Sequence, residues 1–195
     1  VETKNGCGHL LQFKRDERLA IDPQYAWQIE SGYVRKVTMT FEGDLIPFGI
    51  WGPGDLLLLV PDSRVAAYEA ECLTEVKAAR VSINQEELFA TMALQIHQLE
   101  TFLQLLHCNP ISQRLLQFLE WLAVRFGFPS EDHDVLRNHW GYTLDLGLTH
   151  QAIAESIGST RVTVTRLLNQ FEAQKKLVKL SRQKIFLQMP IHVQN

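Results

Sequence analysis

No stretch of this 195-residue chain is an uninterrupted apolar run of membrane-spanning length, about 18 residues or more. Its opening, VETKNGCGHLLQFKRDE, lacks the apolar centre of a secretory leader. A soluble, cytoplasmic protein with no membrane partner is therefore expected. Because the chain begins at Val1 without methionine, it is also expected that an upstream segment could have been trimmed away. Cysteine is scarce: Cys7, Cys72 and Cys108 are odd in number, widely separated and without a CxxC pair. A disulfide framework, a four-thiolate zinc site and an iron–sulfur site are each excluded within one chain. Histidine is nearly missing from residues 1–83, where His9 stands alone. A cupin-type metal centre, which needs two or three histidines and a carboxylate converging inside a barrel, cannot be assembled there. GxSxG, Walker A and HExxH motifs do not occur. No enzyme, no metal and no cofactor is expected.

What is present begins with an uneven charge. Residues 149–195 hold seven Lys/Arg against Glu155 and Glu172, whereas residues 1–148 hold twelve basic and twenty acidic side chains. A basic tail module on an acidic body is the electrostatic footprint of a nucleic-acid-binding domain attached to a domain with another task. With 46% hydrophobic side chains the chain can fill two modest cores.

The pattern divides it accordingly. Residues 10–83 read as short strands between turns: YAWQIE, Ser31-Gly32, YVRKVTMTFE, Gly43-Asp44 and LIPFGIW, then the GPGD turn at 52–55, DLLLLV as a buried strand or short helix, and PDSR at 61–64. Thr38, Thr40 and Glu42 alternate with Val37, Met39 and Phe41, so a small antiparallel β-barrel or sandwich is expected. From Asn84 the period changes. Phe89, Met92, Ile96, Leu99, Leu103 and Leu106 follow one another at spacings of 3, 4, 3, 4 and 3. Such an a/d seam predicts a long helix over 84–108 that pairs with a second copy of itself. Asn109-Pro110 then reads as an N-cap and first-turn proline for a helix carrying Ile111, Leu115, Phe118, Leu122 and Phe126. PSEDHDVLRNHWG at 129–141 reads as a polar surface connection.

Residues 147–171, GLTHQAIAESIGSTRVTVTRLLNQF, hold the binding motif. Thr149 is placed to cap a helix through Ile157, Gly158 breaks it, and Thr160 is placed to cap the next. Val164, Leu167, Leu168 and Phe171 form the buried face of that second helix, leaving Arg161, Val162, Thr165, Arg166 and Asn169 outside. A helix that shows arginines on its first turns is what reaching base edges in a major groove requires. LVKL and KIFL around SRQ, at 177–187, add a basic hairpin and make the module a winged helix-turn-helix. The expected DNA-contacting set is Thr149, His150, Gln151, Ser159, Thr160, Arg161, Val162, Thr163, Thr165, Arg166, Ser181, Arg182 and Lys184.

The succession of barrel, GPGD turn, long helix, NPISQRLLQFLEWLAVRFG and LTHQAIAESIGSTRVTVTRLL resembles the CRP/FNR superfamily of transcription regulators over nearly the whole chain, and in its helix-turn-helix most closely the NtcA-like nitrogen regulators of cyanobacteria. The resemblance implies an α+β fold: an N-terminal antiparallel β-barrel like a cyclic-nucleotide-binding domain (1–83), a dimerisation helix (84–108) and a C-terminal winged helix-turn-helix (109–195). It implies a homodimer on a palindromic stretch of double-stranded DNA, with RNA polymerase as a further partner. Cyclic-nucleotide binders of the family carry a Gly-Glu pair and then Arg-Ser after the glycine turn. Here DLLLLVPDSRV offers Arg64, no Gly-Glu pair, and Val65 in place of the serine, so cyclic AMP is not expected. The NtcA-like effector, 2-oxoglutarate, would use Arg64 and, on the long helix, Glu100, with Gln95 standing where an arginine is expected. A haem sensor has only Cys7, Cys72 and His9 as barrel ligands. The alternatives are a dimeric regulator without effector and a winged helix that binds a protein; the latter predicts binding insensitive to salt.

Overall fold

The computed structural model describes residues 9–20, 24–39, 42, 45–59, 68–132, 139–181 and 184–188. The chain forms two units, Val1–Gln104 and Leu105–Asn195.

In the first unit the strands are β1 (Leu10–Phe13), β2 (Arg18–Leu19), β3 (Ala26–Ser31), β4 (Val34–Met39), β5 (Leu45–Trp51), β6 (Leu56–Leu58), β7 (Tyr68–Cys72) and β8 (Val76–Val81). They do not close into the expected barrel. They form two four-stranded antiparallel sheets, ordered β1-β8-β3-β6 and β2-β7-β4-β5. The strands are short and the chain repeatedly crosses from one sheet to the other, so the result is a jelly-roll-like sandwich with one core between its layers. Trp27, Ile29, Leu57 and Val76 fill that core from one sheet, and Leu19, Val34, Trp51 and Cys72 from the other. The GPGD turn is built as its composition suggests: Asp55 accepts from the Gly52 amide through its carboxylate at 2.8 Å, and its own amide donates to the Gly52 carbonyl at 3.0 Å. The alternation along β4 holds at Val37, which is buried, and fails at Met39, which is exposed at the strand's end.

Helix α1 (Gln85–His107) starts with a reciprocal capping box, Asn84 Oδ1 accepting from the Glu87 amide and Glu87 Oε2 from the Asn84 amide, both at 2.9 Å. The face it buries is partly polar: Thr91, Gln98 and Phe102. Gln98 donates to the Ile50 carbonyl on β5. Gly49 makes that approach possible, since a Cβ there would lie 2.8 Å from Gln98 Cδ. Of the apolar seam, Phe89 is 63%, Met92 45%, Ile96 56% and Leu103 49% exposed, whereas Leu99 and Leu106 are half-buried.

In the second unit α2 (Ile111–Phe126) buries Leu115, Phe118, Leu119, Leu122 and Ala123. Its N-cap is Pro110 and not Asn109. Asn109 is engaged elsewhere: its Oδ1 accepts from Arg114 Nη2 at 3.4 Å and its Nδ2 donates to the His107 carbonyl at 3.4 Å. The segment expected to be a polar connection instead supplies β9 (Phe128–Asp132) and leads into β10 (His139–Asp145). Helix α3 (His150–Ser156) and helix α4 (Arg161–Ala173) follow, then β11 (Leu177–Lys179) and β12 (Lys184–Gln188). The wing is thus a four-stranded sheet, β11-β12-β10-β9. Strand β9 is its edge, where Pro129 is tolerated because one side of the strand has no ladder to complete.

Candidate nucleic-acid interface

Both helices of the motif start on the threonines expected of them. Thr149 accepts from the Ala152 amide at 3.1 Å and Thr160 from the Thr163 amide at 3.2 Å. Gly158 turns the chain between them at φ +62°, a left-handed conformation that favours glycine. Arg114, from α2, fixes this corner by donating to the Ile157 carbonyl at 3.0 Å and to the Cys108 carbonyl at 3.0 Å. Val164, Leu167, Leu168 and Phe171 are all buried. The other face of α4 is free, and Arg161, Val162, Thr165, Arg166 and Asn169 line one shallow concave surface. Val162 is 78% exposed, an apolar side chain standing in water between two arginines.

Thr149, His150 and Gln151 at the start of α3 line a second concave surface together with Arg161. A short relay connects the helices there. The Thr165 hydroxyl lies 2.9 Å from the Arg161 carbonyl and shares a 2.8 Å hydrogen bond with His150 Nδ1. Partial burial, then Lys179 and Arg161, hold its pKa below the ordinary histidine value, so the ring is neutral near pH 7.

The remaining positions are more scattered. Thr160 is exposed and Ser159 and Thr163 half-buried, all at the helix junction. Ser181 is exposed in the wing turn, where its amide donates to the Lys184 carbonyl at 3.1 Å. Lys184 is half-buried and stands 3.8 Å from the Asp145 carboxylate. Arg182 lies outside the described residues. Lys179 is not among the expected contacts and is held away by Glu172 and Asn169, each at 2.7 Å.

Arg64 lies outside the described residues. Glu100 is exposed on α1 with His97 3.8 Å away. Gln95 does line a cavity of about 290 Å³ in the first unit, with Lys36, Phe48, Trp51, Leu58, Tyr68, Met92, Ile96 and Leu99. Lys36, which the sequence reading passed over, lies two residues from the core residue Val34 and so on the same face of β4. A bulge opposite it, between the pairs Lys36–Gly49 and Val37–Pro47, inserts Phe48. As for a haem ligand, Cys72 is buried and its thiol is pushed up to about 12, mainly by burial and then by Glu17 and Glu71. Cys7 lies outside the described residues. Among the described residues no three His, Cys, Asp or Glu side chains come together in a way that could hold a metal ion, and no helix is long and apolar enough to cross a membrane.

Comparison with known proteins agrees with this geometry. A family profile for the Crp-like helix-turn-helix domain matches residues 113–190. Regulatory protein CysR of Synechococcus elongatus is 36% identical over 177 residues, which is 89% of this chain and 82% of that protein. The global nitrogen regulator of the same organism is 41% identical over 150 residues, 71% of this chain and 64% of its own length. Among solved structures, FixK2 from Bradyrhizobium japonicum shares the fold with a TM-score of 0.73 at 20% identity, covering 93% of this chain and 92% of that one. Both sequence relatives are named as regulators. With its exposed arginine-bearing α4, its wing and its jelly-roll-like first unit, the chain belongs to the CRP/FNR family of DNA-binding transcription regulators.

Proposed function

We propose that the protein acts as a homodimer, joined along the α1 seam, on a palindromic operator with GTA half-sites. The observation that carries this reading is Val162, the exposed apolar residue beside Arg161 on the outer face of α4. An arginine on the first turn of a recognition helix reads guanine through two hydrogen bonds to O6 and N7. The next position decides the third base. A glutamate there would accept from a cytosine amine and select G·C, whereas a valine has nothing to accept with and gains only by touching a thymine methyl, which selects A·T. Arg166 and Thr165 extend the reading surface, while Thr149, His150, Gln151, Ser159, Thr160, Thr163, Ser181, Arg182 and Lys184 hold register on phosphates. The dimer is supported by the seam of α1, which exposes Phe89, Met92, Ile96 and Leu103 in a single chain. RNA polymerase is the partner that family membership implies once the dimer is on DNA. A small molecule bound in the first unit, for which 2-oxoglutarate is the ligand suggested by the nitrogen-regulator resemblance, would control it.

Selection from random DNA tests the half-site. The wild type is expected to enrich GTA, Val162→Glu to move towards GTG, and Arg161→Ala to lose about 1–3 kcal/mol and relax the guanine. Enrichment of GTG by the wild type, or an unchanged third base in Val162→Glu, would overturn the assignment. Affinity should also fall by ~10³-fold or more between ~50 and ~200 mM salt. Insensitivity to salt would favour a protein-binding winged helix.

A further inference from the structure

One contact between β11 and α4 decides which way a side chain of the recognition surface faces. Lys179 donates from Nζ to Asn169 Oδ1 and to Glu172 Oε2, each at 2.7 Å. An ammonium carries three donors and no acceptor, so the Asn169 amide has to turn its oxygen to Lys179 and its nitrogen away. Asn169 is exposed and shares its shallow concave surface with Arg161, Val162, Thr165 and Arg166. Its Nδ2 makes no hydrogen bond among the described residues. Glu172 is held below the ordinary carboxylate value, first by the hydrogen bond from Lys179. It therefore stays ionised at neutral pH and keeps the ammonium in place.

We propose that Asn169 is a further DNA-contacting residue of α4, donating from Nδ2 to a phosphate oxygen, and that Lys179 is its positioning residue, fixed in turn by Glu172. The inference rests on the reading above that α4 enters the major groove. Asn169 follows Arg161 by eight residues, which is about 12 Å along the helix axis, and the groove itself is about 12 Å wide. When Arg161 is at base edges, Asn169 has therefore reached the groove wall, where the phosphates stand. An asparagine that reads adenine donates to N7 and accepts from N6 together. With its oxygen turned to Lys179, Asn169 cannot present both groups to one base and offers a donor alone, which suits a phosphate oxygen. Lys179 acts here by committing an amide and not through its charge, which Glu172 offsets. The contact carries no base preference and sets register.

A double-mutant cycle on the intact chain tests this, with affinity read by fluorescence anisotropy on a labelled duplex of mixed sequence. Asn169→Ala is expected to weaken binding about tenfold, the loss of one hydrogen bond to a charged acceptor. Lys179→Met should weaken it to a similar extent when Asn169 is present, and by no more than about twofold in the Asn169→Ala background. Lys179→Arg, which keeps donors for Asn169 and Glu172, should restore the affinity, a rescue that a folding defect would not show. The bases enriched from random DNA by Asn169→Ala should be those of the wild type. An affinity of Asn169→Ala within about twofold of the wild type overturns the contact. A loss in Lys179→Met that is as large without Asn169 as with it means that the lysine touches DNA itself, and overturns the positioning. A changed base preference in Asn169→Ala puts the amide on a base and overturns the phosphate assignment. Each of these outcomes leaves the DNA-binding reading standing, whereas a wild type that binds no duplex defeats both.

Discussion

Helices α1 and α4 have their apolar residues in opposite places. In α4, Val164, Leu167, Leu168 and Phe171 are buried on the helix's own unit and the polar face is outside, whereas α1 buries Thr91 and Gln98 beside Phe102 and Leu105 and leaves Phe89, Met92, Ile96 and Leu103 exposed. A helix that buries hydrogen-bonded polar groups on its own chain and holds out a heptad stripe has its main hydrophobic gain still to come. Helix α4 has already made that gain. In the proposed dimer the two patterns separate assembly from reading, one on each helix.

The largest test of this contrast is Leu103→Asp. In a dimer it places two carboxylates in an apolar seam, each costing about 3–5 kcal/mol when buried without a partner, so sedimentation should show monomers whose unfolding midpoint at low protein concentration matches that of a dilute wild type. A persistent dimer would remove α1 from the interface. Phe171→Ala should behave in the reverse manner: a loss of about 3–5 kcal/mol in the stability of the second unit, read by urea denaturation, with the dimer intact. If the α4 variant dissociates the dimer while the α1 variant only lowers stability, the contrast is inverted and wrong. The smallest effect concerns His150. Its folded pKa lies below the unfolded value of about 6.5, so the unfolded chain binds the proton more readily. The contribution to stability is present above that value and is lost as pH falls from there towards the folded pKa. His150→Gln should therefore lose less of its urea midpoint than the wild type between about pH 7.5 and about pH 5.5. An equal or greater loss in the variant would show that His150 is not a source of acid lability.

Much of the second unit could be read directly because its signals are local. A threonine cap, a glycine at a left-handed turn and a 3.6-residue apolar period each act within a few residues, and Thr149, Gly158, Thr160 and the buried face of α4 stand as their spacing predicts. The same locality misplaced the cap of α2 by one residue, since Arg114 competes for the Asn109 side chain from the following turn. It also hid β9, whose sequence FPSED shows no apolar alternation and whose pairing with β10 is a contact between separate segments.

Residue order alone was enough to specify the recognition helix, its caps and the heptad stripe, because backbone geometry converts spacing into a face without help from distant residues. It could not specify which way the stripe of α1 points, since Gly49 and Ile50 admit Gln98 only after β5 has folded against the helix. Nor could it specify the cavity. Lys36, Tyr68 and Met92 are far apart in the chain, and only the pairing of β4 with β7, the bulge at Phe48 and the packing of α1 turn a surface-type residue into a desolvated cation facing an apolar space. Burial is a property of the assembled neighbourhood, and the charge state that follows from it is decided there.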